Sequence, residues 1–152
     1  MKLKPSKTAH ANAKKLLPQL VEEYFQSGRQ AAEGKKSPKA LHRFRLRTKK
    51  FRYSLELFRP IYGASLDRRL ESLRAIQNVL GKVSDYQAIH KLLVHDQVLA
   101  AKARRAVNRK ANEFREQWQA LDSPKQLRDW KGYFRRAGAL TARKKPRPKS
   151  SQ

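Results

Sequence analysis

Four side chains, His42, Arg45, Lys49 and Arg52, recur at spacings of three, four and three residues. On a helix turning about 100° per residue they share an arc of roughly 80°. Successive cations then stand about 5 Å apart along the axis, comparable with the repeat of a linear phosphate polymer. Arginine engages phosphate oxygens in pairs, and lysine supplies a compact charge. A histidine beside an anion donates a hydrogen bond and gains charge. No acidic residue occurs between Glu33 and Glu56, so this is a positive surface rather than a salt-bridged one. The chemistry on offer is the binding of a polyanion.

Two apolar stripes flank the cationic arc. Phe44, Phe51, Leu55 and Phe58 lie on one side, Leu46, Tyr53 and Leu57 on the other, and Arg43, Arg47 and Lys50 point away. A helix sorted in this way is expected to bury both apolar stripes and leave its charges lining a groove. Glu56, one turn past Arg52, is placed to orient Arg52 or Lys49. Lys110 interrupts an apolar face of Ala106, Val107 and Phe114, and either reaches the groove or snorkels to solvent. Lys14 is a similar case on the first helix. Arg69, beside Leu66, Leu70 and Leu73, offers a rim contact or stays at the surface. Gln77 sits on the same apolar face and calls for a buried hydrogen bond. His90 and His95, five apart, cannot share a metal on a helix, and Asp85 reads as a cap rather than a ligand. Trp118 and Trp130 read as packing anchors rather than stacking platforms for bases.

The elements that position these residues are helical. With 6 Gly, 7 Pro and no sustained strand-like alternation, apolar spacing follows the helical period nearly throughout. A basic leader covers residues 1–9, a helical bundle 10–138, and a basic tail 139–152, both ends being disordered in this reading. The first helix spans about 10–33, with Leu17, Leu20, Val21, Tyr24 and Phe25 inward, and Pro18 predicts a kink or a later start. Ser37-Pro38 opens the cationic helix, which stops near Pro60 to Gly63. A third helix starts at Ser65 or Asp67 and ends at Gly81. Ser84-Asp85 caps the next, which is expected to bury Tyr86, Ile89, Leu92 and Leu93. A further helix covers about 100–121, and Ser123-Pro124 nucleates a short last one through Tyr133 and Phe134. The fold class is all-α: an antiparallel bundle of four main helices with short flanking helices.

At 41–56 the chain reads Leu-His-x-x-Arg-x-x-x-Lys-x-x-Arg-Tyr-x-x-Glu, followed by Ile76-Gln77-x-x-Leu80-Gly81-x-x-x-Asp85. This pattern resembles the CHAD family, the conserved-histidine α-helical domain, over about residues 38–94. The resemblance implies a helical domain that binds inorganic polyphosphate through basic residues around a channel formed by two related repeats. The matching positions are His42, Arg45, Lys49 and Arg52. Here one copy of the motif occurs, so the resemblance implies a single-repeat form that works as a homodimer. Ser84 stands where the family more often has Arg or Asn.

Composition sets the limits. The 152 residues carry 37 Lys and Arg against 12 Asp and Glu, a formal charge of +25. Solubility alone asks for a magnitude of about 2–8 in a small domain. Cysteine is absent, which excludes disulfide and thiolate chemistry and fits a reducing compartment. No apolar run reaches the roughly 18 residues of a spanning helix, so the expected setting is cytoplasmic, in association with polyphosphate granules. Walker, Gly-x-Ser-x-Gly, His-Glu-x-x-His and Glu-x-Glu-x-Lys motifs are all missing, so a binding module without catalysis, cofactor or metal is expected. The rival reading is nonspecific nucleic-acid binding, which would exploit the same charge. A third is a membrane-surface adaptor that uses the leader and tail.

Overall fold

Tyr24 lies at the centre of the protein, stacked between two rings of the cationic helix. Its ring centroid is 5.2 Å from Phe44 and 4.6 Å from Phe51, with Trp118 edge-on at 5.7 Å. The computed structural model describes residues 8–34 and 37–142, and among them every long element is an α-helix. These are α1 Ala9–Glu33, α2 Pro38–Leu57, α4 Asp67–Leu92, α5 Gln97–Leu121 and α6 Pro124–Ala142. Between α2 and α4 the chain turns through the single-turn α3, Arg59–Tyr62, and a 3-10 turn, Gly63–Leu66. Gly63 has φ 68°, where a residue with a Cβ would be strained.

Local chemistry explains most boundaries. The Thr8 hydroxyl accepts from the Ala11 amide and opens α1, and the Asp96 carboxylate accepts from Leu99 and opens α5. Ser123 does the same for α6, accepting from Gln126, with Pro124 at the first helical position. Ser37 holds the capping position of α2 through its backbone carbonyl alone. α1 begins well before Pro18 and runs through it, because Leu17, Pro18 and Val21 are all buried and packing outweighs one lost backbone bond.

The core assembles around the aromatic cluster. α1 packs against α6 and α2, while α4 packs against α5 and α2. The Tyr24 hydroxyl bonds to Thr48 Oγ1 at 3.1 Å, and Thr48 in turn donates to the Phe44 carbonyl. Both polar groups are fully buried and satisfied, so they fix the register of α1 on α2. Burial also pushes the Tyr24 phenol well above its usual range, against the effect of its bond to Thr48. Phe25 packs on Trp118 and Trp130, and the Tyr62 hydroxyl donates to the Phe134 carbonyl. Asp122 accepts from Arg29 at 2.9 Å and ties the end of α5 to α1.

Four expectations need correction. Gly81 does not end a helix: Val79, Leu80 and Val83 are buried on either side of it, and α4 continues for 26 residues. Asp85 is therefore an exposed mid-helix residue and no cap. Tyr86, Ile89, Leu92 and Leu93 are not core residues; Leu92 is 82% exposed, because only α5 accompanies this part of α4. Leu46, Tyr53 and Leu57 are exposed as well, Leu57 at 75%. α1 and α4 both flank the Phe44/Phe51 side of α2, and no described element covers the other stripe. α6 is also longer than expected and runs through residues 139–142. Leader residues 1–7 and tail residues 143–152 lie outside the described residues.

The closest approach in the core gives a test. A Cβ added at Gly28 would lie 2.0 Å from the Trp118 ring, which is itself buried and hemmed in by Tyr24 and Phe25. Gly28→Ala should therefore destabilise the protein by about 1–3 kcal/mol through overpacking, despite alanine's better helix propensity. A urea melt measures this, and a more stable variant would show that Trp118 has another rotamer open to it.

Candidate functional site

The seam between α2 and α4 can be followed residue by residue, with the partners running in opposite order along the two helices. Its first rung is a paired network. Arg52 donates through Nε to Gln77 Oε1 at 3.0 Å and through Nη1 to Glu56 at 2.6 Å, and its guanidinium lies 4.5 Å from the Tyr53 ring centroid. Arg74 of α4 also approaches Glu56, at 3.7 Å, and pairs with Glu71. Arg52 is thus a pin between two helices. Gln77 has the buried hydrogen bond its position demanded.

Further along, Arg45 crosses over Gly81. A Cβ at Gly81 would sit 3.8 Å from Arg45 Nε, so any longer side chain there would compete for the same space. The Arg45 Nε is buried and makes no hydrogen bond. At the end of the seam His42 shares a cavity of about 540 Å³ with Lys39 and Arg43 of α2 and with Ser84, Gln87 and Lys91 of α4. Lys49 lines an open groove on the outer side of α2, with Lys50, Tyr53 and Glu56.

The seam is electrostatically graded. Around Arg52 each charge has a partner. From Lys49 towards His42 the cations Lys39, His42, Arg43, Arg45, Lys49 and Lys91 form no ion pair among the described residues. A half-buried guanidinium with an unsatisfied Nε is costly in an empty protein, and an anion on its remaining N–H groups would offset that cost. Chemically, this stretch can hold phosphate oxygens without a metal.

The remaining candidates stand elsewhere. Arg69 is on the α5/α6 side of α4, its guanidinium 3.7 Å from the Tyr133 ring centroid and 5.6 Å from that of Trp130. There it lines a separate cavity of about 570 Å³ with Gln117 and Asp129, and burial lowers its pKa by disfavouring the charged form. Lys110 pairs with Glu113 on α5 at 2.7 Å. Lys14 is exposed near the start of α1, whereas α1 meets α2 through Tyr24 and Ser27. The structure brings His42, Arg45, Lys49 and Arg52 together and leaves these three apart. It adds Lys39, Arg43 and Lys91.

Comparison with known proteins agrees with this layout. The CHAD domain model matches residues 1–94, more than half of the chain. The chain belongs to the CHAD family. The match takes in α1 to α4, and so both sides of the seam, and ends in the turn before α5. No curated protein and no solved structure matches the chain. CHAD domains bind polyphosphate in general terms, and membership carries that coarse expectation here.

Arg45 allows a test of whether the CHAD seam is built for packing or for a ligand. Arg45→Met keeps length and apolar stem but removes a buried, unsatisfied donor. The free protein should hold or gain about 1 kcal/mol in urea denaturation. A loss of more than about 1 kcal/mol would assign Arg45 to the fold.

Proposed function

We propose that this protein is a non-catalytic module that binds inorganic polyphosphate along the α2/α4 seam. The observation that carries the reading is the run of unpaired cations from Lys49 to His42, with the unsatisfied Arg45 Nε at its centre. His42, Arg45 and Lys49 contact successive phosphates, and Lys39, Arg43 and Lys91 extend the track. Arg52 holds α2 to α4 and acts on the ligand through that positioning. A linear phosphate chain asks for repeated charge and nothing that reads a base, which is what this face offers. Trp118 and Trp130, at 1% and 3% exposure, are not available to stack on bases, which weighs against a single-stranded nucleic-acid site. The setting that suits this ligand is the cytoplasm, at polyphosphate granules.

A titration of long-chain polyphosphate against charge-matched duplex DNA over a range of salt tests the ligand class. Polyphosphate should bind more tightly at near-physiological salt, with affinity falling steeply as salt rises. Arg45→Ala with Lys49→Ala should weaken it at least tenfold, and removal of residues 143–152 should cost much less. Saturating polyphosphate should raise unfolding stability by about 2.7 kcal/mol at one hundred times Kd. Equal affinity for DNA, or a larger loss on tail removal, would defeat the reading. Release of orthophosphate during the titration would defeat its non-catalytic part.

The working unit in this proposal is a homodimer formed on the ligand. Leu46, Tyr53 and Leu57 leave an apolar stripe beside the cations, and a second copy placed there would bring two tracks together. At +25 per chain, repulsion keeps the free protein monomeric until a polyanion neutralises both tracks. Analytical ultracentrifugation should show monomer alone and dimer with long-chain polyphosphate, and Leu57→Glu should abolish the dimer. A monomer under both conditions would remove the dimer and leave the ligand assignment standing.

A further inference from the structure

The α4–α5 hairpin extends past the core. Burial on α4 ends at Val83 and on α5 begins at Ala103, and none of residues 84–102 is buried. α2 accompanies α4 only as far as the cavity that joins Pro38 to Lys91. The turn beyond stands free and is apolar: Leu92 is 82% exposed, Val98 67% and Val94 61%, with Ile89 and Leu99 also exposed. Five of the eight exposed large hydrophobic side chains among the described residues fall in these eleven positions, so the tip is a patch and not a scatter.

Its charge setting indicates what covers it. Lys91 adjoins the tip, and Lys102, Arg104 and Arg105 are exposed on α5 behind it. At 1.5 Å per residue the last three stand about 6–10 Å behind Val98 along the helix. Asp96, the acid at the turn, is occupied in capping α5. A second copy of the chain would bring +25 against +25. A surface that is negative outside and apolar just beneath satisfies both parts of the tip.

We infer that the α4–α5 hairpin tip docks onto anionic phospholipid bilayers. Leu92, Val94 and Val98 enter the boundary between headgroups and acyl chains, and Lys91, Lys102, Arg104 and Arg105 stay with the lipid phosphates. The depth fits: interfacial elements bury their apolar residues about 5–10 Å, and basic residues one to two turns back then lie at headgroup level. The docking is peripheral, since among the described residues no helix is long and apolar enough to cross a membrane. It is independent of the α2/α4 seam, so one molecule can hold a polyanion and a bilayer together.

Vesicle co-sedimentation with the full chain tests this. The protein should bind phosphatidylglycerol-containing vesicles and not pure phosphatidylcholine. Leu92→Ser with Val98→Ser should weaken that binding at least tenfold, with circular dichroism and polyphosphate affinity unchanged. Arg45→Ala should leave vesicle binding as it is. Because the chain has no cysteine, Val94→Cys labelled with a polarity-sensitive dye reads insertion directly, and its emission should move to the blue only on anionic vesicles. Absence of binding, or equal binding by the double serine variant, overturns the proposal. So does a lipid-free dimer that the double serine variant abolishes, which would make the tip a protein contact.

Discussion

Carboxylates are the scarce component of this protein, and their placement governs the rest. Twelve acidic residues face 37 cations, and several of the twelve hold helices together. Asp122 ties Arg29 of α1 to the end of α5, Glu56 joins α2 to α4, and Glu22 pairs with Lys131 across α1 and α6. Asp67 fixes the α3 turn through Arg59, which holds the Asp67 carboxyl below its ordinary range. Individually these surface pairs are worth at most about 1 kcal/mol each. Their consequence lies in distribution: acids placed at helix junctions leave the stretch of α2 from His42 to Lys49 with none.

A bundle with so much like charge must draw its stability from packing. The Tyr24, Phe44, Phe51 and Trp118 cluster supplies large buried area in a geometry that aromatic pairs favour. It also sets the orientation of α2. With Phe44 and Phe51 committed to the cluster, the residues about 100° around the helix must face α4, and these are Arg45 and Arg52. Core and site are therefore two faces of one helix, and neither can rotate without the other.

This coupling explains what could be read from the residues alone. The helix period placed Phe44, Phe51, Leu55 and Phe58 inside and the four-residue cationic track on one arc, and both stand in the structure. Periodicity could not say which of the two apolar stripes would find a partner, because Leu46, Tyr53 and Leu57 look as apolar as their counterparts. Only the positions of α1 and α4 decide it. Gly81 misled for a related reason. A glycine after an apolar run resembles a helix stop, yet here the missing Cβ makes room for Arg45, a contact 36 positions away in sequence. Taking Gly81 as a stop also hid Lys91, which joins Gln77, Gly81 and Ser84 on one stripe only when α4 is continuous. Arg69 shows the opposite failure: its neighbours were right, but the far side of α4 belongs to Trp130 and Tyr133.

The same scarcity of acid links site to stability. An Arg45 carboxylate partner on α4, for instance at Ser84, would satisfy the guanidinium and tighten the seam. It would also hold the track closed to a phosphate chain, since one carboxylate competes with each incoming oxygen. The Arg52 rung shows how such a closed arrangement looks, with Gln77 and Glu56 occupying the donors. One helix thus carries both states, a satisfied arginine that holds the fold and an unsatisfied one seven residues earlier. Destabilisation is confined to the segment from Lys49 to His42, and the aromatic cluster beneath it absorbs the cost. Binding sites commonly retain such local strain, because a group already satisfied within the protein has little to gain from a ligand.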